Sequence, residues 1–342
     1  MRALVYHGPG RFSWDTVPEP EIRDPADAIV RVEMTAICGS DLHIVRGELP
    51  EVRPGTILGH EAVGTVTEIG PEVHNTRPGE QVIVSCVSAC GSCPYCLDAV
   101  YGQCRGGGGW ILGREIDGTQ AEYVRVPFAN LSVHATRGPL TKDTAVLLAE
   151  VLPTAFEVGV RNGHVAPGDT VVVVGSGPVG LAALLTARVH SPRKVLVTDL
   201  SRARLEAAHR LGADAAVVPG ELLGELAEGP GADVAIEAAG TPESFLLCTR
   251  VVRPGGHIAN IGMHGRPATL HLESLWRKNV TISTGQVDTS SVPSLMAMVS
   301  YGHLDVSGLV TARMPLDHME QAYAAFAAGP DTGELKVVLG SG

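Results

Sequence analysis

The sequence predicts an α/β protein of two domains, one β-rich and one built on a doubly wound parallel sheet. Three observations carry that prediction. Up to about residue 150, short β-rich runs alternate with Pro/Gly turns, whereas from about 152 to 288 strands alternate with helical stretches. With 342 residues, 44% of them hydrophobic and 18% charged, the chain is also long enough to bury two cores.

In chain order, DAIVRVEMTAI from Asp27, EAVGTVTEIG from Glu61, EQVIVSC from Glu80 and AEYVRV from Ala121 read as strands of an irregular antiparallel domain. TVVVVG from Thr170 then precedes a helix to about residue 190, and KVLVTD from Lys194 precedes the helical SRARLEAAHRLG. AAVVP, DVAIEA, GGHIANIG and VTISTG follow as further strands, which makes a parallel sheet covered on both faces. After residue 289 come a helix, PSLMAMVSYG, and a last strand, ELKVVLG, placed to rejoin the first domain. The expected division is therefore 1–151 with 289–342, and 152–288.

The formal net charge of -11 is spread along the chain, and no Lys/Arg cluster offers a track for phosphates, so nucleic acid is not an expected partner. The apolar run beginning at Val171 is broken by Gly175, Gly177 and Pro178, which suits a strand, turn and helix rather than a membrane span. The N-terminus shows no export signal. A cytoplasmic setting is expected, and there seven cysteines, an odd number, point to thiolates and metal rather than disulfides.

Gly175-Ser-Gly177-Pro-Val179-Gly180 follows the four-valine strand and opens a helix, and Asp199 ends the next strand 19 residues beyond Gly180. That context is what a dinucleotide fingerprint requires: bare backbone for a pyrophosphate at a helix N-terminus and an acid for the ribose hydroxyls. Asp199 would repel a 2′-phosphate and favours NAD. Arg202 and Arg204, just beyond, are of the type that can hold one.

Cys90, Cys93, Cys96 and Cys104 are separated by two, two and seven residues. Four thiolates so spaced suit a closed structural zinc site. An iron–sulfur cluster is the competing reading, but its bacterial run has a three-residue last gap followed by proline, whereas here the gap is seven and Arg105 follows. Free thiols are the third possibility. Cys86 and Cys248 lie off this spacing and read as packed small side chains. A second, mixed set lies upstream, where Cys38-Gly-Ser40-Asp41-Leu-His43 follows a strand and Gly59-His60-Glu61 lies between strands. A thiolate, an imidazole and a carboxylate are the ligand types of a zinc that keeps one position open.

Taken together, GHEAVGTVTEIG, CGSDLH, the four-cysteine lobe (about 86–110) and GSGPVG resemble, in order and along essentially the whole chain, the zinc-dependent medium-chain dehydrogenase/reductase family. The stretch GGGGWILGREIDGTQAEYVRVP looks most like its bacterial secondary-alcohol dehydrogenases and carbonyl reductases. The resemblance implies a GroES-like domain interrupted by a Rossmann domain, two zinc ions per subunit and NAD(H). It implies that Cys38 and His60 hold the catalytic zinc with Glu61 beside it, and that the remaining ligand position falls on Glu150. That position is cysteine in one large branch of the family, aspartate in a bacterial secondary-alcohol branch and glutamate in polyol dehydrogenases, so Glu150 departs from the branch that the rest of the chain resembles. Asp41 matches the residue that orients the zinc-bound histidine. Ser40 and His43 match a relay that carries the substrate proton through the cofactor ribose to the surface. Thr154 and Val179 match positions packed against the nicotinamide, and Trp110 lies in a segment bordering the substrate cleft. Small to medium alcohols or ketones are the implied substrates, with polyol or amino-alcohol dehydrogenase as the alternative, and a homotetramer is the implied assembly. A zinc- and nucleotide-binding protein without catalysis is the remote third reading.

Overall fold

The computed structural model describes residues 1–227 and 229–340, so the last two residues of the expected range 289–342 lie outside the described residues. Its larger sheet positions the first half. Strands run in the order Val310–Met314, Lys336–Gly340, Ala28–Ala36, Ala62–Ile69, Gln81–Val84 and Val133–Ala135, with Tyr123–Val126 also paired to Ala28–Ala36. All these pairs are antiparallel except the first, and the C-terminal strand joins the N-terminal part of the chain through Val338 opposite Ala36. The alternation of VRVEMT is that of a strand with unequal faces, with Arg31 exposed between buried Val30 and Val32.

The second sheet has six parallel strands, ordered Ala215–Val217, Lys194–Thr198, Thr170–Val174, Ala232–Glu237, Val252–Asn260 and Thr281–Thr284. Its central strand is buried at every residue, which is why it reads as an unbroken valine run. The strand order reverses between Thr170–Val174 and Ala232–Glu237, and a crevice opens at such a switch point beyond the strand ends.

Local chemistry sets the ends of the elements. The helix Pro178–Arg188 starts with proline at its first position, where no N–H is needed. The helix Gly39–Val45 is capped at its start by Cys38 with Asp41, whose carboxylate accepts from Cys38 N at 3.0 Å. Residues 62–64 of the GHEAVG stretch already belong to a strand, leaving only Gly59, His60 and Glu61 in the loop. Between residues 151 and 161 the chain forms an α-turn, Val151–Thr154, that continues as a π-helix, Ala155–Arg161, a form the sequence pattern does not announce.

Candidate active site

Cys38 ends the turn after Ala28–Ala36, His60 and Glu61 end the loop before Ala62–Ile69, and their ligand atoms lie within 4.8 Å of one another. Glu150 reaches the same place from the start of the helix Val151–Thr154, its Oε2 3.8 Å from Cys38 Sγ. Thr154 Oγ1 donates to Glu150 Oε1 at 2.7 Å, which leaves Oε2 turned to the thiol.

Behind the imidazole runs a buried chain of donors. Tyr323 donates to Gln120 at 2.7 Å, Gln120 donates to Asp41 at 3.1 Å, and Asp41 Oδ1 faces His60 Nδ1 at 3.4 Å. Those two atoms have no other partner, so Asp41 fixes the ring with Nε2 free for the thiol side. Glu61 Oε1 is bound by the ammonium of Lys336, a fully buried lysine that also donates to Ile37 O at 3.0 Å. Sequence reasoning missed Lys336, since it lies 275 residues from its partner.

The electrostatics of this set call for a cation. Burial, with the Glu150 charge, pushes the Cys38 thiol up, and burial pushes the Glu61 carboxyl up although Lys336 opposes it. Burial alone would lower Lys336, but Glu61, Cys38 and Glu150 hold it above its ordinary range. Glu61 Oε2 is buried without a partner. A divalent ion with N, O and S ligands meets all of these conditions.

The second cysteine set fits zinc by distance. Cys90 and Cys96 sulfurs are 3.8 Å apart, and those of Cys93 and Cys104 are 4.0 Å apart. Four sulfurs about 2.3 Å from a central zinc stand about 3.8 Å from one another. Backbone N–H groups of Cys90, Cys93 and Arg105 point at the sulfurs, each at 3.4 Å. The crowding splits the thiols. Burial pushes Cys96 up to about 12, with the neighbouring thiols adding to it, whereas in Cys90 the Ser92 and Cys93 N–H groups outweigh burial and draw the thiol down to about 6.

A cleft of about 630 Å³ joins the Cys38 centre to the glycine turn. Ser40, His43, Trp110 and Thr154 line it together with Gly177, Val179 and Arg204. Gly175 and Gly180 build the turn itself. Gly175 has φ +102°, and a Cβ on Gly180 would lie 1.9 Å from Gly175 O, so both need glycine for backbone reasons. Gly177 does not: its φ is -69°, and a Cβ there would meet nothing nearer than the Arg204 guanidinium at 3.8 Å. Its bareness leaves room at a helix N-terminus for a ligand. Asp199 accepts from Ser176 N at 2.6 Å and Ser201 N at 2.9 Å, which fixes its carboxylate beside that turn.

Trp110 packs edge-on to His60, ring centroids 5.5 Å apart, with Arg114 over its face, so it is both a cleft wall and part of the packing. Cys86, expected only to pack, is buried and also lines the cleft. Cys248 is buried in the second sheet's core, as its apolar surroundings predict. None of the seven cysteines is in a disulfide. Among the described residues no helix is long and apolar enough to cross a membrane.

Comparison with known proteins agrees with this geometry. Residues 24–137 match the model of the alcohol dehydrogenase GroES-like domain, and residues 178–300 match that of the zinc-binding dehydrogenases. An alcohol dehydrogenase of Cupriavidus necator is 33% identical over 99% of this chain and 98% of its own. An L-threonine 3-dehydrogenase of Streptomyces avermitilis is 34% identical over 96% and 97%. The solved structure of zinc dependent alcohol dehydrogenase 2 from Streptococcus pneumonia, in its apo form, is 42% identical, covers 100% of this chain and 99% of that one, and superposes with a TM-score of 0.94. Two more distant structures carry cofactors. One, from Escherichia coli CFT073, holds NADH (26% identity, 100% and 99% coverage, TM-score 0.90), and one, from Sinorhizobium meliloti, holds NADP (27%, 99% and 99%, 0.85). The chain belongs to the zinc-dependent medium-chain alcohol dehydrogenase family, oxidoreductases that use NAD(P) and act on CH–OH donors.

Proposed function

We propose that the protein is an NAD-dependent zinc alcohol dehydrogenase and carbonyl reductase, moving hydride between NAD(H) and a secondary alcohol, ketone or aldehyde of small to medium size. One observation carries the reading: a single cleft is lined both by Cys38, His60 and Glu150 and by Gly177 and Val179 of the glycine turn. Cys38, His60 and Glu150 would hold the catalytic zinc, with Glu61 neutralised by Lys336 and placed as the outer or exchanging carboxylate. Cys90, Cys93, Cys96 and Cys104 would hold a second, structural zinc, giving two per chain. Residues 1–151 with 289–342 form the catalytic domain and 152–288 the dinucleotide domain. A cytoplasmic homotetramer is the assembly its family resemblance favours.

When bound, zinc supplies polarisation of the substrate oxygen and the nicotinamide exchanges the hydride. The chain does the rest. Ser40 Oγ takes the proton of the substrate hydroxyl as it passes its own on, by way of the cofactor ribose, towards His43. His43, whose Nδ1 is engaged by Glu48, keeps Nε2 to receive a proton near the cleft mouth. Thr154 orients Glu150, and Val179 and Thr154 wall the ring-binding end of the cleft. Asp199 accepts the ribose hydroxyls, and Trp110 limits substrate size. Glu150 also favours a second reading, a polyol or amino-alcohol dehydrogenase.

Metal analysis of Glu150→Ala, paired with its ketone-reduction rate, tests the site. Expected are one zinc retained in the cysteine lobe, the other lost, and a rate at least about a thousandfold lower, in keeping with loss of Lewis-acid chemistry worth several kcal/mol. Two zincs retained with full activity would sink the assignment.

A further inference from the structure

Glu157, a carboxylate 6% exposed that no step above uses, is the most heavily hydrogen-bonded acidic side chain near the cleft. Its Oε2 accepts from Asp288 N at 2.9 Å and Thr289 N at 3.1 Å, and its Oε1 accepts from Ser291 N at 2.7 Å, Ser291 Oγ at 2.5 Å and Ser290 Oγ at 3.4 Å. The donors come from the segment by which the chain leaves the parallel sheet. Thr289 has φ +60°, a left-handed conformation rare outside glycine, and this turns successive N–H groups onto one anion. The helix Val292–Ser300, whose first residues lack a side-chain cap of their own, begins at this carboxylate.

Glu157 sits on the π-helix that directly continues the turn bearing Glu150 and Thr154. The segment it grips continues backwards into Gln286 and Val287, which line the same cleft as Glu150 and Thr154. The same segment is tied to the cysteine lobe, because Gly102 N donates to Asp288 Oδ1 at 2.8 Å and a side chain at Gly102 would collide with Val287 O. It is tied to the first sheet through Ser85 Oγ, which donates to Thr289 Oγ1 at 2.7 Å. Val158, next to Glu157, packs with Cys86, Val87 and Val287. Two stretches that line the cleft, 150–154 and 286–287, are therefore joined through one carboxylate.

We infer that Glu157 is a positioning residue, which sets the spacing between the Glu150–Thr154 turn and the Gln286–Val287 wall and so fixes the width of the cleft where the dinucleotide ring and the substrate meet. The inference rests on the proposed use of that cleft. A carboxylate that only held the fold together would affect stability alone, whereas a positioning carboxylate also affects binding in the folded enzyme.

The test is Glu157→Gln, which replaces one acceptor oxygen with an amide that faces N–H donors. In folded, zinc-loaded protein it is expected to keep both zincs and to raise the NADH dissociation constant and the substrate KM by about tenfold, with kcat changed by less than about threefold, as lost binding without lost chemistry requires. S290A/S291A, which removes two hydroxyl donors and leaves carboxylate and backbone intact, is expected to move both constants in the same direction by about threefold, and it decides the matter if Glu157→Gln does not fold. Wild-type binding constants in the folded Gln variant, or in S290A/S291A where only that variant folds, overturn the inference while the cleft assignment stands. Failure of the wild-type enzyme to bind NADH overturns both.

Discussion

Asp199 and Arg204 stand on either side of the choice between NAD and NADP. The carboxylate is fixed by two backbone donors, and burial lowers the Arg204 guanidinium from its ordinary value while Asp199 opposes that. With Asp199 removed, Arg204 is left facing the bare Gly177 turn and becomes a 2′-phosphate partner. Asp199→Ala is therefore expected to move the NADPH to NADH ratio of kcat/KM upward by about tenfold or more, since close like charges cost several kcal/mol. Parallel kinetics with the two dinucleotides measure it, and an unchanged ratio would remove Asp199 from the selectivity argument. At this scale the site was unevenly legible. Cys38, His60, the four lobe cysteines and the glycines stand in local motifs that sequence displays. Lys336, Cys86 and Glu157 do not, because each acquires its meaning from contacts made across the chain by folding.

The last strand, Lys336–Gly340, shows why elements matter beyond their residues. It completes the first sheet by pairing with Ala28–Ala36, and in doing so carries Lys336 into a fully buried position against Glu61. A buried ion pair is weak evidence of net stability, but breaking one partner leaves an uncompensated charge. Lys336→Met is expected to lower the unfolding free energy by about 3–5 kcal/mol, and the double change with Glu61→Gln to recover a large part of it. Urea denaturation of Lys336→Met, Glu61→Gln and the double variant checks this, and additive losses would show that the pair is not coupled. The strands that the sequence analysis placed lie within about three residues of their observed ends, because buried valine runs and alternating faces are direct consequences of sheet burial, whereas Arg2–Gly8, Arg11–Thr16, Val133–Ala135 and Val310–Met314 were not placed. The π-helix Ala155–Arg161 was not legible, since the apolar pattern of its side chains does not distinguish it from an α-helix.

Across the whole molecule, the two sheets meet at a cleft whose walls come from residues as far apart as Cys38 and Lys336. The fold class, the strand-by-strand sequence of the second sheet and the return of the last strand to the first domain could be read from the sequence, but the register of that last strand, Val338 opposite Ala36, needed the structure. The central claim is that this cleft brings a zinc-bound carbonyl oxygen and NADH together. Nicotinamide absorbance of the purified, zinc-loaded protein tests it most directly, with NADH and NADPH run in parallel against small ketones, β-keto esters and the ketoses formed from polyols. The account predicts ketone reduction dominated by NADH. Turnover confined to ketoses, a preference for NADPH, or no turnover with zinc in place would contradict it.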